Sequence, residues 1–237
     1  MARCVCAIIP AHNEADVIAE TILAVQGIPE VDQIIVVDDG STDDTSSVAH
    51  AAGASQVIRL DRNQGKGAAL NRALEQARGD VLLLLDADLG ASAEEATKLL
   101  SPVLDGDADM TVAIFRSSSA RADEESSVLA AKSKGFGMVM KTARIGIWLM
   151  TRRWVVSPLA GPRALKREII DKAGGFAPKF GVEVGLTIDA LRMGYRVIEV
   201  PVHMVHRPSG RDLKGFMHRG GQMVDMLRTL GRKALGI

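Results

Sequence analysis

The sequence predicts an α/β protein built on an open, mostly parallel sheet with helices on both faces. Short continuous runs of Val, Ile and Leu alternate with amphipathic stretches through the first 115 residues. That is the pattern of strands buried on both faces and joined by helical crossovers. Gly53 and Gly79 follow two of the amphipathic stretches, where a helix end favours positive φ. The chain has 237 residues, 47% hydrophobic and 24% charged. That balance suits one substantial globular domain and excludes a disordered, collagen-like or coiled-coil chain.

The expected strands are Cys4–Ile9, Gln33–Val37, Gln56–Leu60, Val81–Leu85 and Met110–Phe115. The helices between them are expected at Glu14–Gln26, Asp43–Ala52, Lys66–Arg78 and Ser92–Leu104. Asn13 and Ser41 are cap candidates, and Ser92 with Glu95 matches a capping box. Residues 116–127 are polar and aperiodic and read as a surface loop. Residues 128–156 read as a helix with a mixed apolar and basic face. A loop, short strand and short helix follow through Phe176, then a helix over 181–194, a strand over 195–207 and a basic amphipathic helix over 212–235. A single domain is expected over 1–237, in two halves, 1–115 and 116–237.

Cys4 and Cys6 lie two apart on one expected strand, too close for an unstrained disulfide, and read as reduced thiols in a cytoplasmic protein. No run approaches 18 apolar residues, so no transmembrane helix is expected. The N-terminal run ends at Pro10 without a small-residue cleavage site, so it reads as a strand rather than a leader. Net charge is zero, but residues 1–120 carry 8 Lys/Arg against 19 Asp/Glu, and residues 121–237 carry 21 against 10. An acidic half suits a metal, and a basic half suits phosphates or an anionic surface. The aromatic content of 3% offers no stacking platform for single-stranded nucleic acid, so no nucleic-acid partner is expected.

Ligands of open α/β sheets bind where strand C-ends open into loops. Here those loops carry Pro10-Ala11-His12-Asn13-Glu14, Asp38-Asp39-Gly40-Ser41, Gly65-Lys66-Gly67 and Asp86-Ala87-Asp88. Asp86 and Asp88 offer hard oxygens two residues apart, suited to Mg²⁺ or Mn²⁺ with phosphate completing the shell. Read alone, the same pair fits a helix cap equally well. Its place after the apolar run VLLLL favours the metal. Lys66, flanked by glycines near a helix N-terminus, suits a phosphate, although a plain turn fits it too. Asp38, Asp39 and Ser41 suit either a nucleoside or a helix cap.

Together, PAHNE, VVDDGSTDDT, NQGKGAALNRAL and GDVLLLLDADL resemble the family 2 glycosyltransferases of GT-A fold. The resemblance implies a nucleotide-sugar donor, with a UDP-hexose expected, and a divalent metal at the D-x-D motif. It makes 1–115 a nucleotide-sugar-binding half and 116–237 an acceptor-binding half, and places Pro10, Ala11, Glu14, Asp38 and Asp39 along the nucleoside pocket and Lys66 near the base or diphosphate; His12, by its position in the same loop, is read as a pocket-wall residue. Asp86, Ala87 and Asp88 would bracket the ribose and the metal. The family often carries Tyr or Leu where His12 stands.

The second half is similar to two kinds of relative. GVEVGLTIDALRMGYRVIEVPVHMVHRPSGRDL resembles polyprenyl-phosphate sugar transferases, which are inverting enzymes acting on a membrane lipid. SPLAGPRALKRE with the later His-Arg pair is similar to glucosyl-3-phosphoglycerate synthases, which are retaining and use a soluble phosphorylated acceptor. The second similarity implies His206 as a further metal ligand. Glu183 is the strong acid in FGVEVGL; it would deprotonate an acceptor hydroxyl or orient the acceptor, and at a helix start it also suits the dipole. Val184 stands where inverting members commonly add an Asp. Arg163, Arg207 and Arg211 are candidates for an acceptor phosphate.

The expectation is therefore a metal-dependent hexosyltransferase in which Glu183 and Asp88 carry the chemistry. Its acceptor is a phosphorylated, hydroxyl or lipid-phosphate compound. The 128–156 stretch, with Trp148, Trp154 and cations, suits peripheral contact with the inner face of a membrane, a homodimer interface, or packing on the sheet. A sugar nucleotidyltransferase is disfavoured because its Gly- and Arg-rich first loop is replaced by PAHNE. A non-catalytic nucleotide-sugar binder would not need the acidic pair.

Overall fold

The computed structural model describes residues 3–116, 134–177, 181–205 and 228–233. Seven strands form one sheet: β1 (Val5–Ala11), β2 (Gln33–Asp38), β3 (Gln56–Arg59), β4 (Val81–Leu84), β5 (Met110–Phe115), β6 (Arg163–Lys166) and β7 (Val197–Val202). The helices are α1 (Ile18–Gln26), α2 (Thr45–Ala51), α3 (Lys66–Leu74), α4 (Thr97–Leu104), α5 (Lys134–Thr151), α6 (Arg167–Ala173) and α7 (Val182–Arg192). A 3₁₀ segment, Gly90–Ala96, precedes α4.

The strand order is β3-β2-β1-β4-β6-β5-β7. Pairing is parallel except for β6, which runs antiparallel to both β4 and β5. The strands progress outward from β1 to β3, and the chain then returns to place β4 on the other side of β1. Right-handed crossovers therefore put α1 and α2 on one face and α3 on the other. The reversal opens a crevice between the β1 and β4 ends, the usual ligand position in such sheets. Because β6 is antiparallel, its first residue pairs with the last of β4, Arg163 against Leu84. Second-half residues are thereby delivered to the rim at the end of β4.

Val5, Ile8, Ile9, Ile35, Leu82 and Leu83 are fully buried, as continuous apolar strands covered on both faces should be. A smaller cluster joins Val139, Ala143 and Ile147 of α5 to Val184 and Ile188 of α7, with Leu230 of the helical segment 228–233. Cys4 and Cys6 are free thiols, and burial pushes the Cys6 thiol up to about 12. Among the described residues no helix is long and apolar enough to cross a membrane.

Helix starts and ends are where sequence and structure differ. α1 starts at Ile18 and α2 at Thr45, so neither Asn13 nor Ser41 caps a helix. Asn13 instead takes φ 57°. Its amide accepts the Thr42 N–H (2.8 Å), and the Ser41 hydroxyl accepts the Asn13 N–H (2.9 Å). These residues tie one loop to the other. Ser92 and Glu95 lie within the 3₁₀ segment and form no capping box. Gly53 has the expected positive φ, 87°. Gly79 does not; a side chain there would meet the β1 backbone at Cys6 N, 2.7 Å away. α3 ends at Leu74, short of the expected Arg78. The expected 116–127 loop, apart from Arg116, lies outside the described residues, as do 128–133, 206–211 and most of the expected 212–235 helix.

Candidate active site

The C-ends of β1, β2 and β4 and the start of β6 share one rim, where carboxylates first organise the backbone. Asp38 is fully buried. It accepts the Ser41 N–H (2.8 Å) and the Ser46 hydroxyl. Asp39 accepts the N–H groups of Gln64 (2.7 Å) and Gly65 (2.8 Å), which fixes the loop entering α3. The His12 ring, exposed on the β1 loop, donates from Nδ1 to the Asp39 carbonyl (2.9 Å). Gly40 has φ 69°, and a Cβ there would lie 2.6 Å from the Arg62 Cα. Only glycine lets these loops approach so closely.

Asp43 was not among the sequence candidates, yet it joins two loops. It accepts the Ala15 N–H (3.1 Å) and the Thr45 hydroxyl (2.5 Å). Burial works to raise its pKa, but these hydrogen bonds outweigh that and hold it below the usual aspartate value. Thr45 also accepts the Glu14 N–H (2.9 Å). The only sequence signal for Asp43 is its spacing of two before a helix-starting threonine.

The charged centre lies where the two halves of the chain meet. Lys66, the first residue of α3, places Nζ 2.6 Å from Asp86 Oδ1 and 2.9 Å from Glu183 Oε1. The Lys66 and Asp86 side chains are each 22% exposed, and that of Glu183 is 11%. Burial alone would lower the Lys66 pKa; the two carboxylates more than offset it and hold the ammonium above the ordinary lysine value. Glu183 sits in the first turn of α7. Across the rim, a Cβ on Gly161 would fall 2.6 Å from Asp86 Oδ1, so glycine is required for Asp86 to occupy this place. Asp88 is half-buried, and Ala87 between the two acids is buried.

Arg163 is fully buried, so it faces no open acceptor space. Its guanidinium donates to the carbonyls of Ala160, Gly161 (3.3 Å) and Glu183 (3.2 Å) and to the Thr187 hydroxyl (3.4 Å). Burial lowers its pKa, with Glu183 and Asp86 opposing that shift. It supports Glu183 and the Gly161 loop from below.

Ser92 and Glu95 reach across to the exit of β7. Glu95 accepts the His203 N–H (3.0 Å), and the Ser92 hydroxyl accepts the Val205 N–H (3.0 Å). The turn after the D-x-D motif is thus fastened to the chain just before residue 206. His206, Arg207 and Arg211 themselves lie outside the described residues. Among the described residues no three His, Cys, Asp or Glu side chains converge as a complete metal site. Asp86 and Asp88 provide two hard oxygen donors at the rim, which fits a divalent ion completed by phosphate oxygens and water.

Residues 6–176 match the sequence profile described as Glycosyl transferase family 2. The chain belongs to this family. It is 32% identical to the glucosyl-3-phosphoglycerate synthase of Mycobacterium tuberculosis over 232 residues, covering 92% of this chain and 71% of the relative. A solved structure of that organism's synthase, in complex with Mn²⁺, uridine diphosphate and phosphoglyceric acid, superposes with a TM-score of 0.71 at 28% identity. The match covers 97% of this chain and 79% of that one. An undecaprenyl-phosphate 4-deoxy-4-formamido-L-arabinose transferase of Pseudomonas fluorescens is 36% identical over 107 residues, 41% of this chain and 31% of the relative. The chain spans 63% to 71% of the length of the curated synthases from Mycolicibacterium paratuberculosis and M. tuberculosis. The GT-A-like sheet and the membership of glycosyltransferase family 2 expected from the four strand-end motifs are borne out.

Proposed function

We propose that the protein transfers a hexosyl group from a UDP-sugar to a small acceptor carrying a phosphate, a phosphoglycerate-like compound foremost. The observation that carries this reading is the Lys66 ammonium held between Asp86 and Glu183. It places a cation and hard oxygen donors at one rim, where a pyrophosphate needs both. The relatives named for glucosyl transfer to 3-phosphoglycerate, one of them solved with Mn²⁺ and uridine diphosphate, support it.

In this reading the β1 and β2 loops form the nucleoside wall, with Pro10, Ala11, His12 and Glu14 facing the base and ribose. The Asp38 and Asp39 carboxylates already hold backbone N–H groups, so they shape the wall. Asp86, Asp88 and His206 would hold Mg²⁺ or Mn²⁺. Such an ion would supply positive charge to the leaving diphosphate. Lys66 adds a fixed positive charge there. Glu183, paired with Lys66, accepts a hydrogen bond from the reacting or neighbouring hydroxyl and orients it. Arg207 and Arg211 grip the acceptor phosphate.

Incubation with Mn²⁺, a panel of nucleotide sugars and 3-phosphoglycerate, read by mass spectrometry, tests the proposal. A hexosyl phosphoglycerate is expected. Failure to bind any nucleoside diphosphate overturns the donor assignment.

One observation favours a second acceptor class. The outer face of α5 exposes Met138, Ile145, Trp148 and Leu149 beside Lys141 and Arg152, and no acid occurs between Glu125 and Glu168. Such a face suits an anionic lipid surface and therefore a lipid-phosphate acceptor. Flotation with anionic liposomes tests this. Full recovery in the unbound fraction removes it, and dimers in sedimentation would assign the face to a second copy.

A further inference from the structure

Thr21 is fully buried on α1, the helix beneath the D-x-D loop. Its hydroxyl donates to the Ala87 carbonyl (2.8 Å) and accepts the Gly90 N–H (2.8 Å). One oxygen therefore closes both ends of the segment Ala87-Asp88-Leu89-Gly90. Threonines inside helices commonly turn the hydroxyl back to the carbonyl four residues earlier. Thr142, Thr151 and Thr187 all do so here. Thr21 instead directs its proton out of its helix to the middle residue of the acidic motif.

The surroundings make this contact specific. Ala87 and Leu89 are buried on either side of the half-buried Asp88, so the loop is anchored by its flanks and presents Asp88 between them. Gly90 turns the chain with φ 53°, and a Cβ there would lie 3.2 Å from Glu20 Oε2. The loop thus passes directly over α1, where the Thr21 hydroxyl meets two backbone groups that water does not reach. An apolar side chain at this position would leave a buried carbonyl and a buried N–H without partners.

We propose that Thr21 is a positioning residue that sets the geometry of the Asp86-Ala87-Asp88 loop toward a bound metal–diphosphate. The inference rests on the donor reading of this rim. Thr21→Val keeps the side-chain volume and removes the hydroxyl, whereas Thr21→Ser keeps the hydroxyl. Two readouts apply: amide hydrogen exchange across residues 86–90 of the ligand-free protein, and calorimetric affinity for UDP in the presence of Mn²⁺. Losing two buried hydrogen bonds should speed exchange there and weaken Mn²⁺–UDP binding, each by about tenfold. Thr21→Ser should restore both to within about threefold, and KM for the acceptor should stay near wild type in both variants.

Unchanged exchange and unchanged Mn²⁺–UDP affinity in Thr21→Val overturn the proposal, as does loosened exchange spread over the whole sheet. If Thr21→Val fails to fold, Thr21→Ala carries the same comparison. If the wild-type protein takes up no Mn²⁺–UDP, the donor reading fails. The exchange pattern then decides separately whether Thr21 holds the loop.

Discussion

Replacing Lys66 with methionine removes one positive charge from between two carboxylates while preserving much of the side chain's length. At an effective dielectric of about 20, each contact, at 2.6 and 2.9 Å, corresponds to a gross attraction of about 6 kcal/mol. Desolvation of the ammonium cancels much of that, and breaking a fully buried pair typically costs about 3–5 kcal/mol. With the Lys66 side chain 22% exposed, the lower end applies, and a stability loss of about 2–3 kcal/mol is expected. For a chain of this size that corresponds to roughly 4–12 °C in Tm. The chemical loss should be larger in proportion, because the proposed function puts this cation where diphosphate charge develops. A fall of about 100-fold or more in kcat/KM for UDP-glucose is expected, as for loss of a transition-state charge stabiliser. Thermal melts read the first effect, and a coupled assay for UDP release reads the second. Lys66→Arg keeps the charge but not the point geometry, so it should recover part of the activity. Should Lys66→Met retain more than half of wild-type kcat/KM, the assignment of this rim to the diphosphate is refuted.

Gly161→Ala places a methyl 2.6 Å from Asp86 Oδ1; the carboxylate must move, and initial rates should fall about 100-fold with little change in fold by circular dichroism. Asp88→Ala removes a proposed metal oxygen and should cost more than about 100-fold in transfer, with Tm within about 2 °C of wild type; full activity at unchanged Mn²⁺ demand would refute the role. Asp43, Glu95 and Asp109 all have lowered pKa values, with hydrogen bonds and ion pairs outweighing burial for Asp43 and Asp109 and the Lys98 hydrogen bond leading for Glu95. Their stabilisation is fully present above the ordinary carboxylate values near 4 and is lost as pH falls through the lowered ones. Melts between pH 6 and 3 should show Tm constant at first and then falling, and a Tm that rises over that range would contradict it. Lys66 has the opposite sign: its contribution is complete below its ordinary value and is lost only in strong alkali, so it adds no pH dependence near neutrality.

Continuous apolar runs such as VLLLL made the sheet legible, because a strand buried on both faces has few other compositions. Three of the four rim loops were legible for the same reason, since they follow such runs; the Lys66 loop follows the shorter, half-buried β3 instead. Helix starts were less so. Asn13, Ser41, Ser92 and Glu95 carry cap-forming side chains, but each also bonds a backbone group on another loop, 28, 29, 108 or 113 residues away. Local spacing holds no information about such partners. The antiparallel entry of β6 was likewise hidden: RALK is four residues long, and its direction depends on where the chain crosses back. Arg163 was misplaced for that reason. A cation in a polar-looking stretch reads as a surface phosphate ligand, but the β4–β6 register buries it beneath Glu183.

That register also explains how two halves with opposite charge make one site. Lys66 and Asp86 come from the first half, and Arg163 and Glu183 from the second. These are two cations and two anions, and Asp88 on the same rim adds a third carboxylate, so the centre is short of positive charge before any ligand arrives. Bringing in a pyrophosphate alone would add negative charge beside Asp86 and Glu183, against their repulsion. A pyrophosphate entering with a divalent cation adds far less net charge to the same surroundings. On the proposed donor reading the arrangement favours the metal-bound donor over the free one, which would account for an acidic motif and a lysine sharing the rim. It follows that UDP affinity should depend steeply on Mn²⁺ in the wild type. The dependence should flatten in Asp86→Asn, where the repulsion that the metal offsets has been reduced. Parallel titrations of UDP with and without Mn²⁺ in the two proteins measure this, and an equal Mn²⁺ effect in both would contradict the charge argument.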